Sequence, residues 1–347
     1  MKRFQPFEME RLMSVWEQVV DYNLSESGVH PMSLGELLGS ETTVEDLLGT
    51  ELGYPMVNGT ELLRQTIADL YGHGATPENV LVTVGCAEAL LISLQTLAED
   101  GGEIAMMLPN YMHAWGTAHN VGLEVREFHL RGDHGWAPDL DELRGLVNDR
   151  TRAIAVCNPN NPTGCVMTEA QMDEVVSIAD SVGAWIIADE VYGGAERLSD
   201  EQTPSFWGRY ERVLALNSLS KAYGLPGLRL GWVTGPKTML EEIWRRHEYA
   251  TLACTMLANR LAEVALSPAV RPRILQRTRD YVRRGYSLLE EWIDSFDGLF
   301  EVVAPAAAAI ALVRYDLEIG SLDLVDRLIR EQSVLVVPGE HFGVEQH

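Results

Sequence analysis

Seven short apolar runs, most of them separated by segments of helical pattern, limit what this chain can fold into. NVLVTV, EIAMML, LEVREF, RAIAVC, AWIIAD, VLALN and LRLGWVT have the length and β-branched content of strands. Between them lie CAEALLISLQTLAED, a helix from about Tyr111, DLDELRGLV and TEAQMDEVVSIADSVG. The last of these has Thr168 placed to cap its start and Gly183 its end. Strands this apolar, joined by helices, must be buried on both faces, which only a mostly parallel sheet under two helical layers provides. The expected class is therefore α/β, with a large, mostly parallel, seven-stranded sheet covered by helices.

The two ends of the chain follow a different pattern. Met9, Leu12, Met13, Trp16, Val19 and Val20 recur at helical spacing, with Glu17 beside the stripe. NLSESGVHPM follows as an irregular stretch holding Gly28 and His30. Asn58-Gly59-Thr60 reads as a turn into a helix whose buried face is expected at Leu62, Leu63, Ile67 and Leu70. After Pro236 long helices run to about Phe296, then FEVVAP, AIALVRY, a helix from Ser321 and SVLVVPG read as a smaller α+β unit. The expected division is a large domain over 46–285 and a small one built from 1–45 and 286–347.

Composition excludes several partners. Acidic residues outnumber basic ones by 51 to 27, for a net charge of −24, which disfavours nucleic acid and anionic membranes. Cys86, Cys157, Cys165 and Cys254 show no metal-ligand spacing, so no metal is expected, and their scatter suits a reducing compartment. No apolar run approaches a membrane span, and the start, MKRFQPFEMERLMSVWEQ, is charged and amphipathic rather than a signal peptide. The expected location is the cytoplasm.

In sheets of this kind chemistry gathers at strand ends. The loop NSLSKAYGLPGLRLGW carries Lys221 with Ser218, Ser220 and Arg229 around it, a donor set suited to a phosphate dianion. That combination suggests a Schiff base between Lys221 and pyridoxal phosphate (PLP); the alternative is a surface lysine in a polar turn. Gly85 ends a strand and opens a helix at Cys86 and Ala87, offering backbone N–H groups to a phosphate or making a plain tight turn. Tyr111 follows another strand end and could stack on a flat ring or belong to the core. In CNPNNPTG a rigid loop presents Asn161. Asp189 ends an apolar strand, where a carboxylate needs a partner such as a protonated pyridine nitrogen, a helix N-terminus or an ion pair. Tyr192 follows it by three residues.

GYPMVNGTELLR, VTVGCAEAL, NPNNPTG, ADEVY and SLSKAYGLPGLRLGW together resemble the class I/II aminotransferases, PLP enzymes of fold type I, in order and over nearly the whole chain. The resemblance implies Lys221 as the Schiff-base lysine and proton carrier, and Asp189 as partner of the pyridine nitrogen. It implies Asn161 and Tyr192 on the ring oxygen and Tyr111 stacked on the ring. It puts the phosphate among Gly85, Cys86, Ala87, Ser218, Ser220 and Arg229. It also implies a homodimer in which Tyr54 reaches the neighbour's phosphate, with an amino acid and a keto acid as substrates. An arginine that clamps the substrate carboxylate is expected beyond a Phe-Gly pair like Phe342-Gly343; the sequence stops at His347, so the clamp is either truncated or absent and none is assigned.

A narrower similarity concerns WEQVVDYNLSESGVHPMSLGELL. It resembles capreomycidine synthases, which cyclise a hydroxylated arginine, and the PLP-dependent arginine oxidases, which use O2. This resemblance implies Glu17, Gly28 and His30 as substrate-binding residues, His30 also as a catalytic one, and an arginine-like substrate. The expectation is thus an aminotransferase, with an O2-dependent arginine oxidase/hydroxylase or a cyclase as the alternative.

Overall fold

The structure, a computed structural model, describes residues 4–39, 44–344 and 347. Helix α1 (Glu8–Trp16) leads to the two-residue strand β1 (Tyr22–Asn23) and the short helices α2 (Leu34–Leu38) and α3 (Val44–Leu48). Helix α4 (Glu61–Tyr71) precedes β2 (Val80–Thr83), α5 (Gly85–Leu97), β3 (Glu103–Leu108), α6 (His113–Val121), β4 (Glu124–Arg131) and β5 (Ala137–Pro138). Then come α7 (Leu140–Leu146), β6 (Thr151–Cys157), α8 (Glu169–Val182), β7 (Trp185–Asp189), β8 (Val213–Ser218) and β9 (Gly231–Thr234). Helices α9 (Lys237–Ala250), α10 (Met256–Leu266) and α11 (Arg271–Asp294) follow. The described chain closes with β10 (Phe300–Val302), β11 (Val313–Tyr315), α12 (Ser321–Gln332) and β12 (Val334–Leu335).

The main sheet has the order β2-β9-β8-β7-β6-β3-β4-β5. Its centre, from β8 to β4, is parallel; β9 runs antiparallel to both β8 and β2. All seven expected strands are present. An eighth, the two-residue β5, joins the edge at β4 through Leu130↔Pro138, a place where proline's missing N–H costs no ladder bond.

Alternation within the strands explains the two helical layers. Ala105 and Met107 of β3, with Ile186 and Ala188 of β7, pack in one cluster with Met172 and Val175 of α8. Ile104 and Met106, with Ile187, pack in the other with Leu90 and Leu94 of α5. Successive side chains thus enter opposite layers, as a pleated strand requires. Helix α8 begins with a capping box, Thr168 Oγ1 accepting from Gln171 N, and stops at Gly183 in the left-handed region, so both expected caps form.

Two expectations about buried faces need correction. In α4 the inward residues are Leu63, Arg64, Ile67 and Ala68, while Leu62 and Leu70 are exposed. Apolar spacing alone could not tell this inward stripe from an apolar outer one. Val19 is also exposed, because α1 ends at Trp16 and the spacing no longer applies beyond it.

The chain termini meet. Leu12, Trp16 and Val20 pack on Val325 and Ile329 of α12 and on Leu335. Strand β1 lies parallel to β12, with Asn23 opposite Leu335, and Leu24 N donates to Leu335 O at 2.8 Å. A few residues later Arg277 Nη1 donates to His30 O at 3.0 Å and Met32 N to Gly224 O at 2.9 Å. Residues 24–32 are therefore strapped across the loop that carries Lys221. Among the described residues no helix is long and apolar enough to cross a membrane.

Candidate active site

Strand ends bring the chemistry together. Asp189 closes β7 opposite Cys157, the last residue of β6, and the next strand, β8, ends at Ser218. Burial pushes the Asp189 carboxyl up to about 6, against the hydrogen bond from Val191 N (3.1 Å) and the charge of Lys221, which favour its ionised form. A cation beside this carboxylate would restore its charge.

The Lys221 side chain is turned inward, and burial lowers its pKa; Glu26, Glu10 and Asp189 oppose that shift, while Arg229 adds to it. Its Nζ donates to Ser27 Oγ at 2.7 Å. Asn161 Nδ2 donates to the Tyr192 hydroxyl at 3.1 Å, and both side chains are buried. Asn161 Oδ1, also buried, has no hydrogen-bond partner among the described residues. Burial raises the Tyr192 phenol well above its ordinary range, and the nearby Ser27 hydroxyl works in the opposite direction.

The loop after β8 and the start of α5 form one cup. Gly85 has φ +72°, and a Cβ there would stand 2.8 Å from Arg229 Nη2. Arg229, itself at φ +49°, donates through Nη1 to Pro226 O (3.0 Å) and Ser220 Oγ (3.4 Å). Gly231 packs so tightly that a Cβ would lie 2.6 Å from Cys86 N. Ser220 N donates to Ser218 Oγ at 3.2 Å. The first turn of α5, Gly85-Cys86-Ala87, has no intrahelical acceptors for its N–H groups, so this cup is lined with donors.

Tyr111 hydrogen-bonds through its hydroxyl to Glu10 of α1, and Phe7 packs on its ring at 5.2 Å between centroids. The Asp189 and Tyr192 side chains lie within electrostatic reach of it. Gly28 lies beside the lysine stem, where a Cβ would meet Lys221 Cδ at 3.8 Å. His30 is exposed, with its Nδ1 3.0 Å from Pro31 O. Glu17 caps the end of α1 half-buried, and Tyr54 is 88 % exposed.

The fold thus brings Lys221, Asp189, Asn161, Tyr192, Tyr111, Gly28 and the phosphate-type cup to one place. The groups that bond to or act on Lys221 are Ser27, Glu26, Glu10, Asp189 and Arg229, with His30, Glu17 and Tyr54 of the same chain not among them. Two residues that sequence reasoning passed over are in the site. Ser27 adjoins the Gly28 that was singled out. Glu10 lies seven residues before Glu17, about two helical turns away on the same face, so helical spacing could have pointed to it.

A parallel sheet with a buried lysine, a carboxylate and a donor cup at the ends of its strands is the frame of a fold type I PLP enzyme. The family model for aminotransferase class I and II matches residues 41–347, and the chain belongs to that family. Capreomycidine synthase of Streptomyces vinaceus is 33 % identical over 333 residues, covering 92 % of this chain and 82 % of that enzyme. An arginine–pyruvate transaminase of Pseudomonas aeruginosa is 28 % identical over 320 residues, 87 % of this chain and 78 % of that one. A PLP-dependent aminotransferase of Streptococcus suis superposes with a TM-score of 0.92 at 32 % identity, over 100 % of this chain and 92 % of its own.

The protein is a PLP-dependent aminotransferase by family. Its residues fit the cofactor on two counts: the donor cup suits a phosphate, and the Asp189 carboxyl needs a cation.

Proposed function

We propose that this aminotransferase acts on an α-amino acid with a cationic, arginine-like side chain, using Lys221 first to hold PLP and then to move the substrate proton. When bound, PLP supplies the electron sink that acidifies the substrate Cα–H. Lys221 takes and returns that proton, a task helped by the burial that lowers its pKa and keeps a neutral amine accessible. Asp189 holds the ring nitrogen protonated. Tyr192 and Asn161 would hold the ring oxygen, and Tyr111 would pack against the ring. Gly85, Cys86, Ala87, Ser218, Ser220 and Arg229 hold the phosphate.

The observation that carries the substrate proposal is Glu10, a carboxylate held in the site by the Tyr111 hydroxyl. With Glu26 and Asp189 it lies near enough for its charge to act on Lys221. One of them can be assigned to the ring nitrogen, which leaves acidity to spare for a cationic side chain. Of the substrate residues that the narrower resemblance implies, Gly28 lies beside the lysine stem, whereas Glu17 and His30 have no contact with Lys221 in this chain; Glu10 supplies the carboxylate there instead. The similarity to an arginine–pyruvate transaminase supports the same substrate class.

The capreomycidine synthase likeness favours a second reading, an O2-dependent arginine oxidase/hydroxylase or a cyclase, in which His30 influences the product. One experiment separates the two. Arginine, lysine and neutral amino acids are supplied with and without 2-oxoglutarate while keto acid and oxygen are followed. The aminotransferase reading requires product only with the keto acid and no oxygen uptake; oxygen consumption by arginine alone would select the second.

A homodimer is part of the same proposal. Tyr54 is exposed, as are its sequence neighbours Leu48, Leu52 and Met56. Apolar side chains exposed along one stretch suit burial against a second copy, which would carry Tyr54 to the neighbour's phosphate.

A further inference from the structure

Ser27 has no part in the roles above, yet it touches the centre of the site. It lies 194 positions from Lys221 in the chain and accepts from Nζ at 2.7 Å. The same hydroxyl faces the Tyr192 phenol, and Tyr192 accepts from Asn161 Nδ2 at 3.1 Å. Ser27 is held from both sides: Leu24 N is bonded to Leu335 O, and Met32 N to Gly224 O. Gly28, next to it, lies beside the lysine stem, where an added Cβ would sit in ordinary van der Waals contact with Lys221 Cδ at 3.8 Å. A hydroxyl can accept one hydrogen bond and donate another at the same time, so Ser27 can serve Lys221 and Tyr192 together.

We propose that Ser27 is a positioning residue that fixes the direction of the free Lys221 amine while that amine takes and returns the substrate proton. The inference rests on Lys221 being the cofactor lysine. In the neutral amine one N–H is donated to Ser27 Oγ, which fixes the direction of the nitrogen lone pair. When Lys221 takes the Cα proton, the resulting ammonium keeps Ser27 as acceptor, and the proton is returned along the same line. Ser27 itself neither gains nor loses a proton. A flexible four-carbon side chain is thereby confined, and misplacing a reacting group by about 1 Å can cost on the order of 10²-fold in rate.

The test compares the unaltered protein with Ser27→Ala and Ser27→Thr. Ser27→Ala should lower kcat about tenfold to a hundredfold with KM changed less than about threefold, and should raise the isotope effect of Cα-deuterated substrate. Ser27→Thr, which keeps the hydroxyl, should recover most of the loss. A second readout needs no turnover. In the apo-protein, the pH midpoint for acylation of Lys221 by acetic anhydride, read by peptide mass, should fall in Ser27→Ala, because the ammonium loses an acceptor. Glu26, Glu10, Asp189 and Arg229, the other charges acting on Lys221, are unchanged in this comparison.

An unchanged isotope effect and an unchanged acylation midpoint would overturn the proposal. So would equal losses in Ser27→Ala and Ser27→Thr accompanied by a lower melting temperature, which mark a structural role. Where Ser27→Ala does not fold, Ser27→Gly takes its place under the same criteria. Failure of the underlying reading looks different: borohydride would then fail to fix PLP to Lys221 even in the unaltered protein.

Discussion

Gly85 and Arg229 approach so closely that a methyl group on the glycine would stand 2.8 Å from the guanidinium. The glycine also has φ +72°, where a side chain is strained whatever the space around it. Both residues border the cup proposed for the phosphate, so Gly85→Ala should displace Arg229 and tilt the first N–H groups of α5. Loss of about one charge-assisted hydrogen bond, roughly 1.5–3 kcal/mol, should weaken PLP binding about tenfold to a hundredfold. Fluorescence titration of the apo-protein with PLP measures this, and an unchanged Kd would remove the cup from the proposal.

Asp189 carries a pH dependence whose direction follows from its burial. Its carboxyl is pushed up to about 6 in the fold, against about 3.9 in an unfolded chain. Between those values the folded apo-protein holds a proton that the unfolded chain has lost, so this group lowers stability as pH rises through that window. At full ionisation the cost is roughly 3 kcal/mol. Denaturant melts of the apo-protein at pH 4 and pH 7 should therefore show Asp189→Asn gaining on the unaltered chain as pH rises. Its turnover with PLP should fall at least tenfold, because the ring nitrogen loses its counter-charge. Parallel melts and near-normal turnover would overturn the assignment.

Glu10 lies within α1 and Glu17 caps its end, but it is the charge of Glu10 that acts on Lys221, and Glu10 that meets Tyr111. A guanidinium between them would pair with a carboxylate through its planar fork. Glu10→Gln should raise KM for arginine about tenfold or more and leave an apolar amino acid nearly unchanged; Glu17→Gln, measured alongside, shows which carboxylate matters more. Equal effects on both substrates in both variants would remove the cationic substrate from the account.

The sheet was legible because each strand is an apolar run closed by a polar or glycine-rich turn, and those turns are also where the cup and the carboxylate lie. The limits of α8 were legible for the same local reason, since Thr168, Gln171 and Gly183 signal capping without reference to the rest of the fold. Ser27 was not, because its part depends on a contact across most of the chain, and a serine in a polar loop carries no pattern of its own. Leu62 and Leu70 misled because an apolar residue on a helix does not by itself show which face turns inward, and both stand exposed. Glu17 stood out through the tryptophan before it, while the helix puts Glu10 nearer the chemistry.

The most direct measurement uses the scarcity of lysine in this chain, which has only Lys2, Lys221 and Lys237. Lys237 is engaged at the surface with Glu78 at 2.8 Å. The PLP-loaded protein is reduced with borohydride and digested, and the peptides are weighed. The expected result is one phosphopyridoxyl group per chain, on the peptide containing Lys221, and none in Lys221→Ala. Label on Lys237 or Lys2, or undiminished label in Lys221→Ala, would contradict the account.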